Sequence, residues 1–186
     1  MKAYKGFNKG LTCRGYQFKA DEVNVTKEAN CVRNGFHCAE NPLDCLSYYP
    51  SWNSSEYWIV DAGGDVHEDG SDTKISCTEL KLIRKLSLNE FLIESIQYMN
   101  DHPFREWTNH VKKDKGSASK NDKFVLVRGK NPIAKGVKGT KIGLIREYKR
   151  NRKICEVGLY TVDDVNIKAN TYYNVAGEEV KDGDAE

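Results

Sequence analysis

The sequence predicts an α+β fold: a mixed or antiparallel sheet with short helices and one longer helix, followed by a small β-rich C-terminal part. Three observations predict it. Short apolar and β-branched runs at 2–7, 56–61, 73–83 and 124–127 read as strands. A capping signature precedes one sustained helical repeat at 88–100. Beyond it, apolar runs alternate with turn residues and no second long helical period occurs.

The elements follow in chain order. Tyr4 between Lys2 and Lys5 marks a first strand over 2–7, and 16–19 marks a second. Thr26 has the chemistry of an N-cap, so Thr26-Lys27-Glu28-Ala29 predicts a short helix stopped at Gly35. Asn41-Pro42-Leu43-Asp44 is a stronger start. Asn caps, Pro suits the first helical position and Asp44 suits the positive end of the dipole, giving a short helix to about Tyr49. Ser87 and Glu90 form a capping box, and Leu88, Phe91, Leu92, Ser95, Ile96 and Met99 keep helical spacing. Phe104, Trp107 and Val111 predict a further short helix after Pro103. Segments 142–148 and 154–162 predict a hairpin around Arg150-Asn151-Arg152, and 171–175 a last strand.

The 186 residues suit one domain or two small ones. We expect an α+β domain over 1–111, a basic linker over 112–123 that lacks any large apolar residue, a β-rich domain over 124–180 and an acidic tail over 181–186. Charge divides along similar lines. The overall +2 conceals net −4 over 1–104, +12 over 105–153 and −6 over 154–186. No window has the ~18 apolar residues of a membrane span, and the N-terminus lacks the apolar core of a secretion signal. A cytoplasmic protein with its six cysteines reduced is expected.

A resemblance rests on particular residues. Tyr4-Lys5-Gly6-Phe7, Leu11-Thr12-Cys13-Arg14-Gly15-Tyr16-Gln17-Phe18, Gly35-Phe36-His37, Glu40-Asn41-Pro42-Leu43-Asp44 and Tyr48-Tyr49 resemble an uncharacterised family found mainly in phages and prophages. Val162-Asp163, Ile167–Tyr173 and Gly177-Glu178 resemble its C-terminal end. Between these parts, relatives often carry a Gly/Ala/Ser/Thr-rich repeat, and here the basic segment stands in its place. The resemblance implies a mobile-element origin and action in the host cytoplasm. Small proteins of that origin often act by binding host machinery.

Four chemistries bear on these residues. The basic set Lys135, Lys138, Lys141, Arg146, Lys149, Arg150, Arg152 and Lys153 suits a polyanion, because clustered cations release counterions from phosphates. It predicts a binding protein that blocks a host nucleic-acid-handling or defence complex, as an anti-CRISPR-like inhibitor. Its partner would be a host protein, a ribonucleoprotein or nucleic acid. As the alternative, the N-terminal motifs are similar to the early part of ADP-ribosyltransferases. That likeness implies NAD held by Lys5 or Arg14 and His37, with Glu79 as the carboxylate, although no Glu-x-Glu pattern accompanies it. A structural phage accessory protein is a third reading. Zinc at Cys13, Cys31, His37, Cys38 and Cys45 is outweighed, since no Cys-x-x-Cys pair exists and buried free cysteines are common. His37, His67, His102 and His110 belong to no nucleophilic triad signature. No cofactor, no metal and no membrane partner is expected, and no complete catalytic motif is present.

Overall fold

Strands make up about half of the chain and helices little. A computed structural model describes residues 1–30, 33–68, 73–105 and 109–181. The chain divides into two compact units, Met1–Tyr98 and Met99–Glu186.

The first unit contains β1 (Lys2–Asn8), β2 (Thr12–Cys13), β3 (Tyr16–Gln17), β4 (Val23–Val25), β5 (Phe36–Ala39), a 3-10 helix (Pro42–Ser47), β6 (Ser55–Glu68), β7 (Lys74–Lys85) and the start of α1 (Leu88–Asp101). Its pairings close on themselves. β1 pairs β6 along its whole length, β6 pairs β7, β7 pairs β5, and β5 returns to β1 through Tyr4 and Ala39. All four pairings are antiparallel, so a small barrel results. This corrects the predicted α+β class: the fold is mostly β, with a closed barrel and a half-barrel. Only α1 and the six-residue 3-10 helix are helical among the described residues.

Strand alternation decides what the barrel contains. Ala3, Lys5 and Phe7 share one face of β1. Ala3 and Phe7 join Phe18, Phe36, Cys38, Val60, Ile75, Cys77, Leu80 and Leu82 in the core. The opposite face of β1 meets the helical elements. Tyr4 Oη and Lys2 Nζ both donate to Glu94 of α1, at 2.7 and 2.8 Å. Trp52, Tyr57 and Phe91 stack together outside the ring, with centroids 4.5 to 5.3 Å apart.

The capping box forms as its residues predict. Glu90 accepts from Ser87 N and Ser87 Oγ at 2.8 and 2.7 Å, and Ser87 Oγ accepts from Glu90 N. Asn41 also caps, accepting from Leu43 N at 3.1 Å, but the helix it opens is 3-10. Among the described residues, no α-helix occupies the segment that begins at Thr26. The Thr26 amide donates to Thr78 O, extending the β4–β7 ladder, and the β-branched Val23 and Val25 already commit the chain to that edge. Cys31 and Val32 lie outside the described residues.

The second unit holds β8 (Val111–Ala118), β9 (Phe124–Gly136), β10 (Lys141–Glu147), β11 (Ile154–Thr161), β12 (Tyr172–Tyr173) and β13 (Glu179–Val180). The predicted hairpin is β10–β11, in register from Lys141↔Thr161. β8 occupies much of the stretch expected as a linker, and its first residue is Val111, where a short helix was expected. It pairs β9 in parallel. Charged residues on an edge strand hide the period-2 pattern, since that edge needs no apolar face. Trp107 and the tail beyond Lys181 lie outside the described residues.

Gly6 shows how tightly the barrel and the 3-10 segment meet. A Cβ at this position would lie 2.6 Å from Cδ2 of Tyr49. Gly6→Ala is expected to lower stability by about 1–3 kcal/mol through overpacking. Urea unfolding checks it as a lower midpoint at unchanged slope.

Candidate functional site

The first unit holds a cavity of about 700 Å³, within the roughly 300–1,000 Å³ of small-molecule pockets. β1 contributes Lys5 and Gly6, and the β2–β3 hairpin contributes Cys13, Arg14 and Tyr16. Phe36, His37 and Cys38 come from β5. Asp44, Cys45, Tyr48 and Tyr49 come from the 3-10 helix and the turn after it, and Lys74 comes from β7. The N-terminal motifs of the family resemblance therefore converge on one cavity, whereas the C-terminal ones contribute nothing to it.

Lys5 is the least expected of these residues. It is 4% exposed, because the alternation of β1 turns it inward with Ala3 and Phe7. Its Nζ donates to His37 O at 2.5 Å and to Cys13 Sγ at 3.7 Å. The rings of Phe7 and Phe18 each lie 5.2 Å from it. No carboxylate pairs with it among the described residues. Burying an ammonium without a counter-charge is costly.

The β2–β3 hairpin turns on Arg14 and Gly15, at φ +48° and +81°. Two left-handed central residues make the primed turn that suits a two-residue hairpin, and glycine takes the second without strain. Arg14 is thereby held exposed at the cavity rim, and Cys13 pairs across from Tyr16. Tyr49 Oη donates to Cys13 Sγ at 2.9 Å. Lys74 Nζ lies 3.0 Å from Tyr48 Oη and 5.3 Å from the centre of that ring. The acidic lining residue, Asp44, is occupied: its carboxylate accepts from Thr73 N and Thr73 Oγ1 at 3.2 and 2.6 Å. The lining is therefore cationic, with aromatic faces beside the charges.

Burial, reinforced by the charges of Lys5, Arg14 and Lys74, pushes the His37 imidazole below its ordinary value of 6.5. Burial drives the Cys45 thiol up to about 12. The hydrogen bond with Cys77, together with burial, raises that of Cys38. Among the described residues, no group of three or more His, Cys, Asp or Glu is placed to hold a metal ion. Cys31, a candidate zinc ligand, lies outside the described residues.

Three of the four residues expected from the ADP-ribosyltransferase likeness, Lys5, Arg14 and His37, line the cavity. Glu79 does not. It is exposed on β7, opposite Val25 and Gly63. Lys74 and Tyr49 were not singled out from sequence. Lys74 arrives through the β5–β7 register, opposite Ala39, which no local pattern signals.

The basic set of the second unit does not form one face. Lys141 and Arg146 are five residues apart on β10, about 17 Å at strand rise, and alternation sends them to opposite faces. Lys138 lies 3.7 Å from Asp164, Lys141 Nζ donates to Thr161 Oγ1 at 2.7 Å, and Arg146 pairs Glu156 at 2.7 Å. Arg152 and the buried Arg128 share Glu147. Lys135 sits over the Tyr172 ring with Lys115, at 4.6 and 4.8 Å. Lys149, Arg150 and Lys153 remain exposed at the β10–β11 turn, beside Arg152.

Residues 1–94 match the family described as Domain of unknown function (DUF7666). The chain belongs to this family. No curated protein and no solved structure matches the chain. The matched segment contains every residue that lines the cavity, whereas the basic β10–β11 turn lies outside the match. No helix among the described residues is long and apolar enough to cross a membrane.

The depressed His37 value links to stability. Neutral imidazole is favoured by the fold, so its contribution is complete above pH 6.5 and is lost as pH falls through the lower folded value. An NMR titration should place His37 below 6.5. His37→Gln should flatten the acid-side loss of stability in urea melts between pH 6.5 and that midpoint.

Proposed function

We propose that the DUF7666 unit binds a small anionic ligand carrying an aromatic ring, of the nucleotide class. The observation that carries this reading is Lys5: a buried ammonium without a carboxylate partner among the described residues, facing a cavity that Arg14 and Lys74 also border. An anion there would supply the missing counter-charge and accept charge-assisted hydrogen bonds. Tyr16, Phe36, Tyr48 and Tyr49 offer ring faces of the kind that planar groups stack against. The likeness to ADP-ribosyltransferases makes NAD the first ligand to examine. Group transfer needs a carboxylate at the reacting carbon, and Asp44 is engaged by Thr73 while Glu79 lies elsewhere. The supported reading is therefore binding. Isothermal titration with NAD, ATP and AMP should give saturable heat, weakened about tenfold by Arg14→Ala, which is a loss of about 1.4 kcal/mol. Absence of heat with all three at millimolar concentration overturns it.

A second reading concerns the β10–β11 turn, where Lys149, Arg150, Arg152 and Lys153 cluster. It is the phage-type inhibitor that meets a nucleic-acid-handling or defence complex in the host cytoplasm, now through this turn rather than through all eight cations. If four phosphates are engaged on a duplex, log K should fall against log salt with a slope of about −3.6. Charge reversal at Lys149 and Arg150 should reduce that slope by about 2. A flat salt response removes this reading and leaves the cavity untouched.

A further inference from the structure

Cys13 differs from the other described cysteines in what meets its sulfur. Cys38, Cys45 and Cys77 are buried. Cys155 is exposed on β11, and its thiol lies 3.5 Å from Arg146 O. Cys13 is half-buried in the cavity lining, and two donors reach its sulfur: Tyr49 Oη at 2.9 Å and Lys5 Nζ at 3.7 Å. Lys5 is 4% exposed, so the donor that it directs at this sulfur is held in place by packing.

The arrangement is held from several sides. The Tyr49 ring lies against Gly6, and Tyr57 Oη donates to Tyr49 O. Cys13 is fixed by its pairing with Tyr16 across the tight β2–β3 turn. Thiols react as thiolates, and reactive cysteines sit in electropositive, partly exposed surroundings. Nucleophiles work best where packing fixes both them and their supporting donors.

We propose that Cys13 is the nucleophile of this cavity, acting on small anionic compounds that bear an electrophilic carbon. Lys5 and Tyr49 are its positioning residues. In the step, a sulfur electron pair forms the S–C bond while the bond from that carbon to its leaving group breaks, and the leaving group departs with the pair. The thiol proton passes to solvent, a thioether results, and nothing is oxidised or reduced. The preference for anions rests on the anion-binding reading above; the nucleophile assignment does not.

The test is timed alkylation of the full chain, with peptide mass spectrometry following Cys13 and Cys155 separately. By exposure alone Cys155 would react first. Cys13 is expected to react with neutral iodoacetamide about tenfold faster than Cys155. Tyr49→Phe, which keeps the ring against Gly6, should slow Cys13 several-fold and leave Cys155 unchanged. Cys155 reacting first, or a Cys13 rate indifferent to Tyr49→Phe, overturns the nucleophile. Iodoacetate reports the charge preference: its rate relative to iodoacetamide should be higher at Cys13 than at Cys155. Equal ratios overturn the anionic class, and nucleotide titration reports separately on the binding reading.

Discussion

Closure of the β1–β5–β7–β6 ring is the constraint on which the first unit depends. Once β1 is paired on both edges, alternation leaves no choice about which side chains enter the barrel. Ala3 and Phe7 enter as core, and Lys5 must enter with them. Placing an ammonium in that position is unfavourable by itself. The surrounding design answers it with a carbonyl, a sulfur and two ring faces in place of a carboxylate. Slipping β1 by one residue would turn Lys5 out of the barrel but would also expel Phe7.

That cation organises its neighbours. Arg14 and Lys74 lie close enough to join it in holding His37 neutral, although burial is the larger cause. The carboxylate at the wall, Asp44, accepts hydrogen bonds from the hydroxyl and amide of Thr73 rather than pairing with one of these cations, and one carboxylate stands against the three cations Lys5, Arg14 and Lys74 in the lining. The positive field of the cavity is therefore not cancelled from within. Tyr49 ties the electrostatics to the packing, since its ring needs Gly6 and its hydroxyl needs Cys13.

The second unit manages its charge by the opposite means. Some of its cations are spent on local carboxylates, with Glu147 serving both Arg128 and Arg152, and Glu156 serving Arg146. Arg128 is fully buried and also donates to the Pro103 and Arg152 carbonyls. Part of the +12 over 105–153 thus works inside the fold. Lys-rich β8 uses charge on an edge strand, where it discourages pairing with another chain.

Local chemistry was legible where it acts over a few residues. The Ser87–Glu90 box, the Asn41 cap, the β10–β11 hairpin and the presence of a strand at β1 could all be read, because capping, turn chemistry and strand propensity are short-range effects. Lys5, Arg14 and His37 could be named as a set from their motifs. By itself, the sequence determined these starts, stops and candidate cations, and the segregation of charge along the chain. Only the tertiary structure decided that the strands close into a barrel, that a Lys-rich stretch is an edge strand, that Thr26 continues a ladder, and that the basic cluster splits between two faces. It also decided that Tyr49 meets Cys13 and that Lys74 lines the cavity with Lys5, while Glu79 does not. Each of those outcomes depends on pairing between segments distant in sequence, where register sets which side chains meet and no local pattern encodes the partner.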